Sequence, residues 1–263
     1  MADALADIDW HFARKWTLTL ILATQRSGST LLCEELARHS RLGKPNEYFL
    51  RLVQRKTVPL SQAAVEGLFL AGRQGKWPKT ALKLMYNQLH PLADWLGWDA
   101  NPEGKPLPEH MVVPALLNGL AERFGRLNLI HMEREDVREQ AFSVYRARAT
   151  GEYRQPVEVG STPVPSTPVD GGDSFNVGRF LELLVQARRE RGALRTALER
   201  SRLPYSVLTY RQLVDHYPGC LKRVLRELNE GFLPREATAR PLAKVVGQAE
   251  FEQAMKAVRA YFQ

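Results

Sequence analysis

A short polar turn near the start of the chain has the residue types needed to bind an anion. Residues 24–30 read TQRSGST and separate an apolar run from a leucine-rich segment. Gly28 lets the backbone come close to a ligand, and Arg26 offers a charged fork of donors. Three hydroxyl groups add further donors: Ser27, Ser29 and Thr30. The apolar spacing after the turn suits a helix, whose first N–H groups and dipole also favour an anion. The turn therefore predicts an anion site.

Three more side chains are candidates for the same site. Arg134 follows the apolar run LNLIHM, and Ser143 lies nine residues later. Ligands of open α/β sheets bind at the carboxyl ends of the strands, so the position of Arg134 suits a ligand contact. Glu47 lies in the sequence PNEYF, residues 45–49, soon after the first predicted helix. The proline fixes the loop here, which allows Glu47 to lie near the polar turn.

Strand and helix patterns alternate along the chain around these residues. Near-continuous apolar runs predict buried strands at residues 18–23, 80–85, 127–132 and 206–210. Apolar residues at helical spacing predict helices at 29–39, 60–73, 111–124, 135–150, 176–202, 211–229 and 248–262. The alternation predicts one α/β domain over residues 1–263, with a central parallel sheet covered by helices on both sides.

Composition limits the classes of function. The chain has 263 residues, 44% of them hydrophobic, and a formal net charge of +8. This charge suits an anionic ligand, but no run of five basic residues indicates a nucleic-acid tail. The two cysteines, Cys33 and Cys220, are too few for a disulfide framework or a metal cluster. Neither a signal peptide nor a membrane-spanning run is visible, so we expect a cytoplasmic protein without a transmembrane segment.

The polar turn does not match the loop of ordinary nucleoside triphosphatases. A Walker A loop reads G-x-x-x-x-G-K-S/T, whereas this turn has one glycine, and Ser29 occupies the lysine position. The residues alone leave two other functions open: a nucleotide or sugar kinase with a degenerate loop, and a non-catalytic nucleotide- or nucleic-acid-binding protein. They also leave open that the turn is only a serine-rich helix cap. ATP turnover with magnesium would identify the first, and steeply salt-dependent binding of random DNA the second.

The string TQRSGSTLL, residues 24–32, resembles the 5′-phosphosulfate loop of sulfotransferases that use 3′-phosphoadenosine 5′-phosphosulfate (PAPS). It is most similar to the bacterial trehalose 2-sulfotransferase family, whose loop reads P/Q-R-S-G-S-T-L-L. Three other segments resemble this family in the same order: PNEYF at 45–49, KLMYNQ at 83–88, and I-H-x-x-R-x-D-V-x-x-Q-A-x-S-x-x-R-A at 130–147. The resemblance implies a P-loop-like sulfotransferase fold and transfer of a sulfuryl group from PAPS without a metal.

The resemblance also implies roles for particular residues and partners. Glu47 would act as the general base, and Lys83 and Tyr48 would contact the acceptor. Arg134 and Ser143 would hold the 3′-phosphate of PAPS. The other donor contacts would come from the turn and from the end of the fourth strand: Gln25, Arg26, Ser27, Gly28, Ser29, Thr30, Leu31 and Tyr210. The acceptor would be a hydroxyl of a carbohydrate or glycolipid rather than a nucleic acid, and the chain would be able to form a homodimer.

The resemblance weakens where acceptor contacts are expected. The family motif T-x-x-W reads TGEY at residues 150–153, and the C-terminal region is only loosely similar. Residues 154–172, RQPVEVGSTPVPSTPVDGG, have no counterpart in the family, and their prolines and glycines predict a long surface loop. We expect this loop to be a mobile lid on the acceptor side. The resemblance therefore does not extend to trehalose as the acceptor.

Overall fold

The computed structural model describes residues 8–50, 60–101, 103–151, 175–233 and 247–263. The proline-rich segment 154–172, predicted to be a surface loop and lid, lies outside the described residues. Among the helices of these five stretches, none combines the length and the apolar character that crossing a bilayer would require.

The described residues contain a central sheet of four parallel strands. These are β1 (Thr17–Ala23), β2 (Lys79–Met85), β3 (Arg126–Glu133) and β4 (Tyr205–Thr209), in the order β2-β1-β3-β4. Ile21 of β1 is in register with Lys83 of β2 and with Ile130 of β3. The carboxyl ends of the strands therefore meet at one edge of the sheet. The arrangement confirms the predicted α/β fold with a central parallel sheet.

Helices connect the strands and continue after the last of them. They are α1 (Ser29–His39), α2 (Gln62–Leu70), α3 (Tyr86–Trp95), α4 (Glu109–Arg123), α5 (Val137–Thr150), α6 (Val177–Ser201), α7 (Tyr210–Asp215), α8 (Gly219–Glu227) and α9 (Gln248–Tyr261). A short 3₁₀ helix, Trp10–Lys15, precedes β1. The helices place both polar segments of the predicted site at the carboxyl edge of the sheet, since α1 follows β1 and α5 follows β3.

The observed elements differ from the predicted ones in three respects. The helix expected at 211–229 is divided into α7 and α8 at Pro218, because proline lacks an N–H donor and disfavours helical geometry in the residue before it. Tyr210, predicted to end the fourth strand, instead begins α7, where the hydroxyl of Thr209 accepts a hydrogen bond from the N–H of Gln212 at 3.2 Å. α3 was not predicted as a helix.

The apolar residues of β1 explain why helices cover both faces of the sheet. Successive side chains of a strand point to opposite faces. Leu18, Leu20 and Leu22 belong to one buried cluster, which also contains residues of α3, α4 and α6. Ile21 and Ala23 belong to a second cluster, formed with α1 and α8. Burial on both faces keeps β1 rigid, and β1 ends at the polar turn.

The last helix, α9, packs against the helix that follows β3. Phe251 and Ala254 of α9 form a third buried cluster with Phe142 of α5 and with residues of α6. Nη1 of Arg146, a fully buried arginine of α5, also donates to Oε2 of Glu250 at 2.5 Å. The C-terminal helix therefore stabilises α5, which carries Ser143.

Candidate functional site

The polar turn joins β1 to α1 at the carboxyl edge of the sheet. β1 ends at Ala23, and α1 begins at Ser29. Gly28 has a φ of 95° and Arg26 a φ of 60°, both in the left-handed region that side chains disfavour. A Cβ atom on Gly28 would also overlap the ring of Tyr210. Glycine is therefore required at position 28 both by the backbone conformation and by the space.

The start of α1 offers hydrogen-bond donors that suit a ligand. Gly28, at the N-cap, has no side chain with which to cap the helix. Ser27 is fully buried, and its Oγ atom has no hydrogen-bond partner among the described residues. The first N–H groups of a helix lack partners within the helix, and the dipole makes this end positive. A buried hydroxyl beside such a helix end fits an anion.

Arg134 and Ser143, from the segment that follows β3, meet Arg26 at the turn. Nε of Arg26 donates to Oγ of Ser143 at 2.9 Å, although 117 positions separate them in the sequence. Nη1 of Arg134 donates to the main-chain oxygen of Arg26 at 3.4 Å, and its Nη2 donates to Glu139 at 2.9 Å. Nε of Arg134 is buried and has no hydrogen-bond partner in the part of the chain that the structure describes. The structure thus brings Arg26, Arg134 and Ser143 into one cluster.

Tyr210 provides an aromatic surface beside this cluster. Its ring lies against Gly28, and the guanidinium carbon of Arg134 is 4.8 Å from the centre of the ring. Arginine stacks favourably on an aromatic face at this distance. Tyr210 therefore packs between the turn after β1 and the residue that follows β3.

Two residues to which the sequence analysis gave no role hold these pieces in place. Gln140, buried in α5, donates from Nε2 to Oγ1 of Thr24 at 2.7 Å and to the main-chain oxygen of Gln25 at 2.6 Å. Nη1 of Arg191 in α6 donates to the main-chain oxygens of Arg134 at 3.1 Å and Glu135 at 3.3 Å. Gln140 belongs to the segment pattern at 130–147, which could have identified it. No signal in the sequence pointed to Arg191.

Glu47 lies beside Lys83 at the end of β2. Oε1 of Glu47 is 2.8 Å from Nζ of Lys83, which also donates to Oγ1 of Thr30 in the first turn of α1 at 3.2 Å. Oε2 of Glu47 accepts from Nε2 of Gln88 at 2.9 Å. The N–H of Lys83 donates to the main-chain oxygen of Asn46 at 3.0 Å, which ties the loop to β2. The structure therefore connects Glu47, through Lys83, to the start of α1.

The remaining predicted residues have more local surroundings. The hydroxyl of Tyr48 donates to the main-chain oxygen of Lys44 at 2.9 Å, and burial raises the pKa of Tyr48 above its usual value. Leu31 is a buried core residue, so only its main chain is available to a ligand. Ser29 is also buried, in the first turn of α1. The contacts given above do not link Tyr48 to the other predicted site residues.

The charges around the turn favour an anionic ligand next to a carboxylate. The contacts above include the cationic side chains of Arg26, Lys83 and Arg134, and the carboxylates of Glu47 and Glu139. The positive end of α1 adds to this excess of positive charge. Within the described ranges, no group of three or more histidine, cysteine, aspartate or glutamate residues is arranged to hold a metal ion. The arrangement can hold an anion while a carboxylate accepts a proton nearby.

The solved structures that are similar to this chain include two sulfotransferase domains. One is the sulfotransferase domain from the curacin biosynthetic pathway, with 17% identity, a TM-score of 0.45, and coverage of 87% of this chain and 80% of that one. The other is the sulfotransferase domain from the Synechococcus PCC 7002 olefin synthase, with 17% identity, a TM-score of 0.43, and coverage of 90% and 82%. The comparison with curated proteins gives no match.

A family comparison covers most of the chain. The model of the family described as Stf0 sulphotransferase matches residues 19–254, a range that begins in β1 and ends in α9. The matched range contains the polar turn, the Glu47 loop and the segment with Arg134 and Ser143. The chain therefore belongs to the Stf0 sulfotransferase family.

Proposed function

We propose that this sulfotransferase takes its sulfuryl group from PAPS and transfers it to a hydroxyl of a carbohydrate or glycolipid, with Glu47 as the general base. Membership of the family supports sulfuryl transfer in general. The choice of donor and of base rests on the contacts of the described residues, and the acceptor class rests on the resemblance of the sequence segments. We also propose that the chain is a single domain, forms a homodimer and works in the cytoplasm.

The turn fits the phosphate groups of the donor. Ser27 has a buried hydroxyl and Arg134 a buried Nε atom, each without a partner among the residues that the structure describes. Both are donors, so both suit phosphate oxygens. We assign the 5′-phosphosulfate to the start of α1, and the 3′-phosphate to Arg134 and Ser143. The ring of Tyr210 would line the adenine site.

PAPS supplies an activated sulfuryl group whose bond to the 5′-phosphate oxygen breaks as the acceptor oxygen bonds to sulfur. Glu47 accepts the proton of the acceptor hydroxyl, because this hydroxyl becomes acidic only as its oxygen bonds to sulfur. Arg26 and the N–H groups at the start of α1 stabilise the negative charge left on the phosphate. Lys83 forms an ion pair with Glu47 and, with Tyr48, borders the acceptor. No residue has to form a covalent bond to the transferred group.

One observation carries the proposal. Glu47 forms an ion pair with Lys83, and Lys83 donates a hydrogen bond to Thr30 at the start of α1. A carboxylate two contacts away from the anion site is close enough to serve an acceptor that approaches the bound donor. General-base catalysis contributes roughly 10²–10⁴ in rate. The side chain of Glu47 is 28% exposed, so a substrate can reach it.

The proposal predicts that Glu47→Gln lowers the transfer rate at least about a hundredfold, because an amide cannot accept the proton. Transfer is measured with sulfur-labelled PAPS and a panel of sugars, glycolipids and lipopolysaccharide fragments. Affinity for adenosine 3′,5′-bisphosphate and the melting temperature should stay near the wild-type values. Glu103→Gln is the matched control, since Glu103 forms an exposed ion pair with Lys105.

Near-normal turnover by Glu47→Gln would show that another group is the base. A wild-type protein that neither binds adenosine 3′,5′-bisphosphate nor transfers sulfate from PAPS would overturn the choice of donor. Magnesium-dependent ATP turnover in that protein would support a kinase instead, and steeply salt-dependent DNA binding would support a nucleic-acid-binding protein.

A further inference from the structure

Both oxygens of the Glu47 carboxylate are held, and by different kinds of donor. Oε1 lies 2.8 Å from the ammonium group of Lys83, and Oε2 accepts from the side-chain amide of Gln88 at 2.9 Å. A free glutamate side chain samples several rotamers, and two donors on its two oxygens select one of them. Each carboxylate oxygen has a second lone pair, so both remain able to accept another hydrogen bond.

Gln88 is itself fixed in position. It is 1% exposed and lies in the first turn of α3, directly after β2. Its Oε1 atom accepts a hydrogen bond from the N–H of Met85 at 3.3 Å. That contact turns the amide so that Nε2 is left for Glu47. The side chain of Gln88 therefore links the carboxylate of Glu47 to the main chain at the end of β2.

From these contacts we infer that Gln88 is a positioning residue for sulfuryl transfer: it holds Glu47 in the rotamer that accepts the proton. Lys83 is charged and stabilises the ionised carboxylate, whereas the amide of Gln88 is neutral and fixes its direction. A displacement of about 1 Å in a reacting group can lower a rate on the order of a hundredfold. This inference rests on the proposed role of Glu47 as the base.

Gln88→Glu tests the inference, because it separates the two contacts of the amide. The new carboxylate can still accept from the N–H of Met85, but once ionised it cannot donate to Glu47. We expect kcat to fall roughly tenfold to a hundredfold, while the affinity for adenosine 3′,5′-bisphosphate stays within about twofold. The acid limb of the pH–rate profile should move to higher pH, because two neighbouring carboxylates share a proton more readily than one. A purely structural role would leave that profile in place.

Gln88→Met covers the case in which a second buried carboxylate prevents folding. Methionine has a similar length and no donor, so kcat should again fall about tenfold or more with donor affinity unchanged. Gln212 offers matched controls, since its Oε1 accepts from the N–H of Thr209 at 3.2 Å at the equivalent position in α7. Gln212→Glu and Gln212→Met repeat the change at a helix start without touching Glu47, and should keep the wild-type kcat.

The double variant Glu47→Gln with Gln88→Glu tests whether Gln88 acts through Glu47. If it does, adding Gln88→Glu to Glu47→Gln causes no further loss of kcat, because residues in one contact are not additive. A further tenfold loss in the double variant would overturn the inference, as would a folded Gln88→Glu or Gln88→Met protein with wild-type kcat. These outcomes leave the proposed function intact if Glu47→Gln alone is inactive. An active Glu47→Gln protein instead removes the base, and the inference with it.

Discussion

The two halves of the site are held in different ways. What we propose to be the donor half consists of Arg26, Ser27, Gly28, Arg134, Ser143 and Tyr210, at or after the carboxyl ends of β1, β3 and β4. In this half, Oγ of Ser27 and Nε of Arg134 have no partner among the described residues. What we propose to be the acceptor half contains Glu47, Lys83 and Gln88, near the end of β2, and here both oxygens of Glu47 already have partners.

This difference agrees with the role that we propose for each half. Buried donors without partners are costly, and an anionic ligand would supply the missing acceptors. The carboxylate of Glu47 already has a partner on each oxygen, and these two contacts fix its direction. Substitutions in the donor half should therefore weaken binding of the donor. Substitutions in the acceptor half, such as those of Glu47 and Gln88 above, should lower turnover instead.

The largest effect on the donor half is expected from Gly28→Ala. The new Cβ atom would overlap the ring of Tyr210, and alanine would have to adopt a φ of 95°. Backbone strain of this kind costs about 1–3 kcal/mol, and displacement of Tyr210 adds to it. We expect affinity for adenosine 3′,5′-bisphosphate, measured by calorimetry, to fall on the order of a hundredfold.

Gly192→Ala is the matched control for this change. Gly192 lies in α6 with no atom within 4 Å of an added Cβ, and alanine is the better helix former. This variant should keep wild-type affinity and gain about 0.5–1 kcal/mol in stability. Wild-type affinity in Gly28→Ala would mean that the turn does not hold the donor.

A smaller but more selective effect is expected from Arg134→Ala. If Arg134 contacts the 3′-phosphate, its loss removes a charge-assisted hydrogen bond worth roughly 1.5–3 kcal/mol, or about tenfold or more in affinity. Calorimetry should show this loss for adenosine 3′,5′-bisphosphate and much less for AMP, which lacks that phosphate. Arg138→Ala is the control, because Arg138 is an exposed arginine of the same segment, paired with Asp136. Equal losses for the two nucleotides would contradict the assignment to the 3′-phosphate.

Local sequence patterns were sufficient to predict the strand, turn and helix around Gly28, but not the contacts of Glu47. The apolar run of β1, the glycine turn and the leucines of α1 follow one another, so local patterns were sufficient there. The pairing of Arg26 with Ser143 spans 117 positions and depends on how β3 lies beside β1. Only the fold could show that contact, although the separate segments were recognised.

α3 and the partners of Glu47 show the limits of local patterns. α3 contains Pro91, which weakens a helical signal, and the packing of Leu89 and Leu92 into the core stabilises it. Because this helix was not predicted, Gln88 could not be placed next to Glu47, 41 positions earlier. Lys83 could have been a surface lysine at a strand edge, but the structure buries it at 3% exposure between Thr30 and Glu47.

β3, the strand that precedes Arg134, also contains ionisable residues that affect the stability of the fold. Glu133 of β3 accepts two hydrogen bonds from Nη2 of Arg195, at 3.0 and 2.9 Å. His131, two residues earlier, is buried, with Nδ1 lying 3.3 Å from Oε1 of Glu133. Burial lowers the pKa of His131 to about 4, and Arg195 and Arg191 oppose its protonation further, although Glu133 favours it.

His131 should have the smallest effect on donor binding, because its titration changes the stability of the fold with pH and leaves the donor contacts in place. Below the ordinary histidine pKa of about 6.5 the unfolded chain binds a proton that the folded protein, with a pKa of about 4, does not bind. Stability is thus greatest above pH 6.5 and falls as the pH is lowered towards 4, by about 2 kcal/mol between pH 7 and pH 5. Urea unfolding at these two pH values should show this loss in the wild type and a smaller one in His131→Gln, with the exposed His216→Gln as the control. Each protein is characterised by the change in its free energy of unfolding between pH 7 and pH 5, so any cost of the substitution that is independent of pH cancels.

Affinity for adenosine 3′,5′-bisphosphate should be the same in wild type and His131→Gln wherever both are folded. A loss of affinity in His131→Gln would mean that β3 contributes to the donor half through His131 as well as through Arg134.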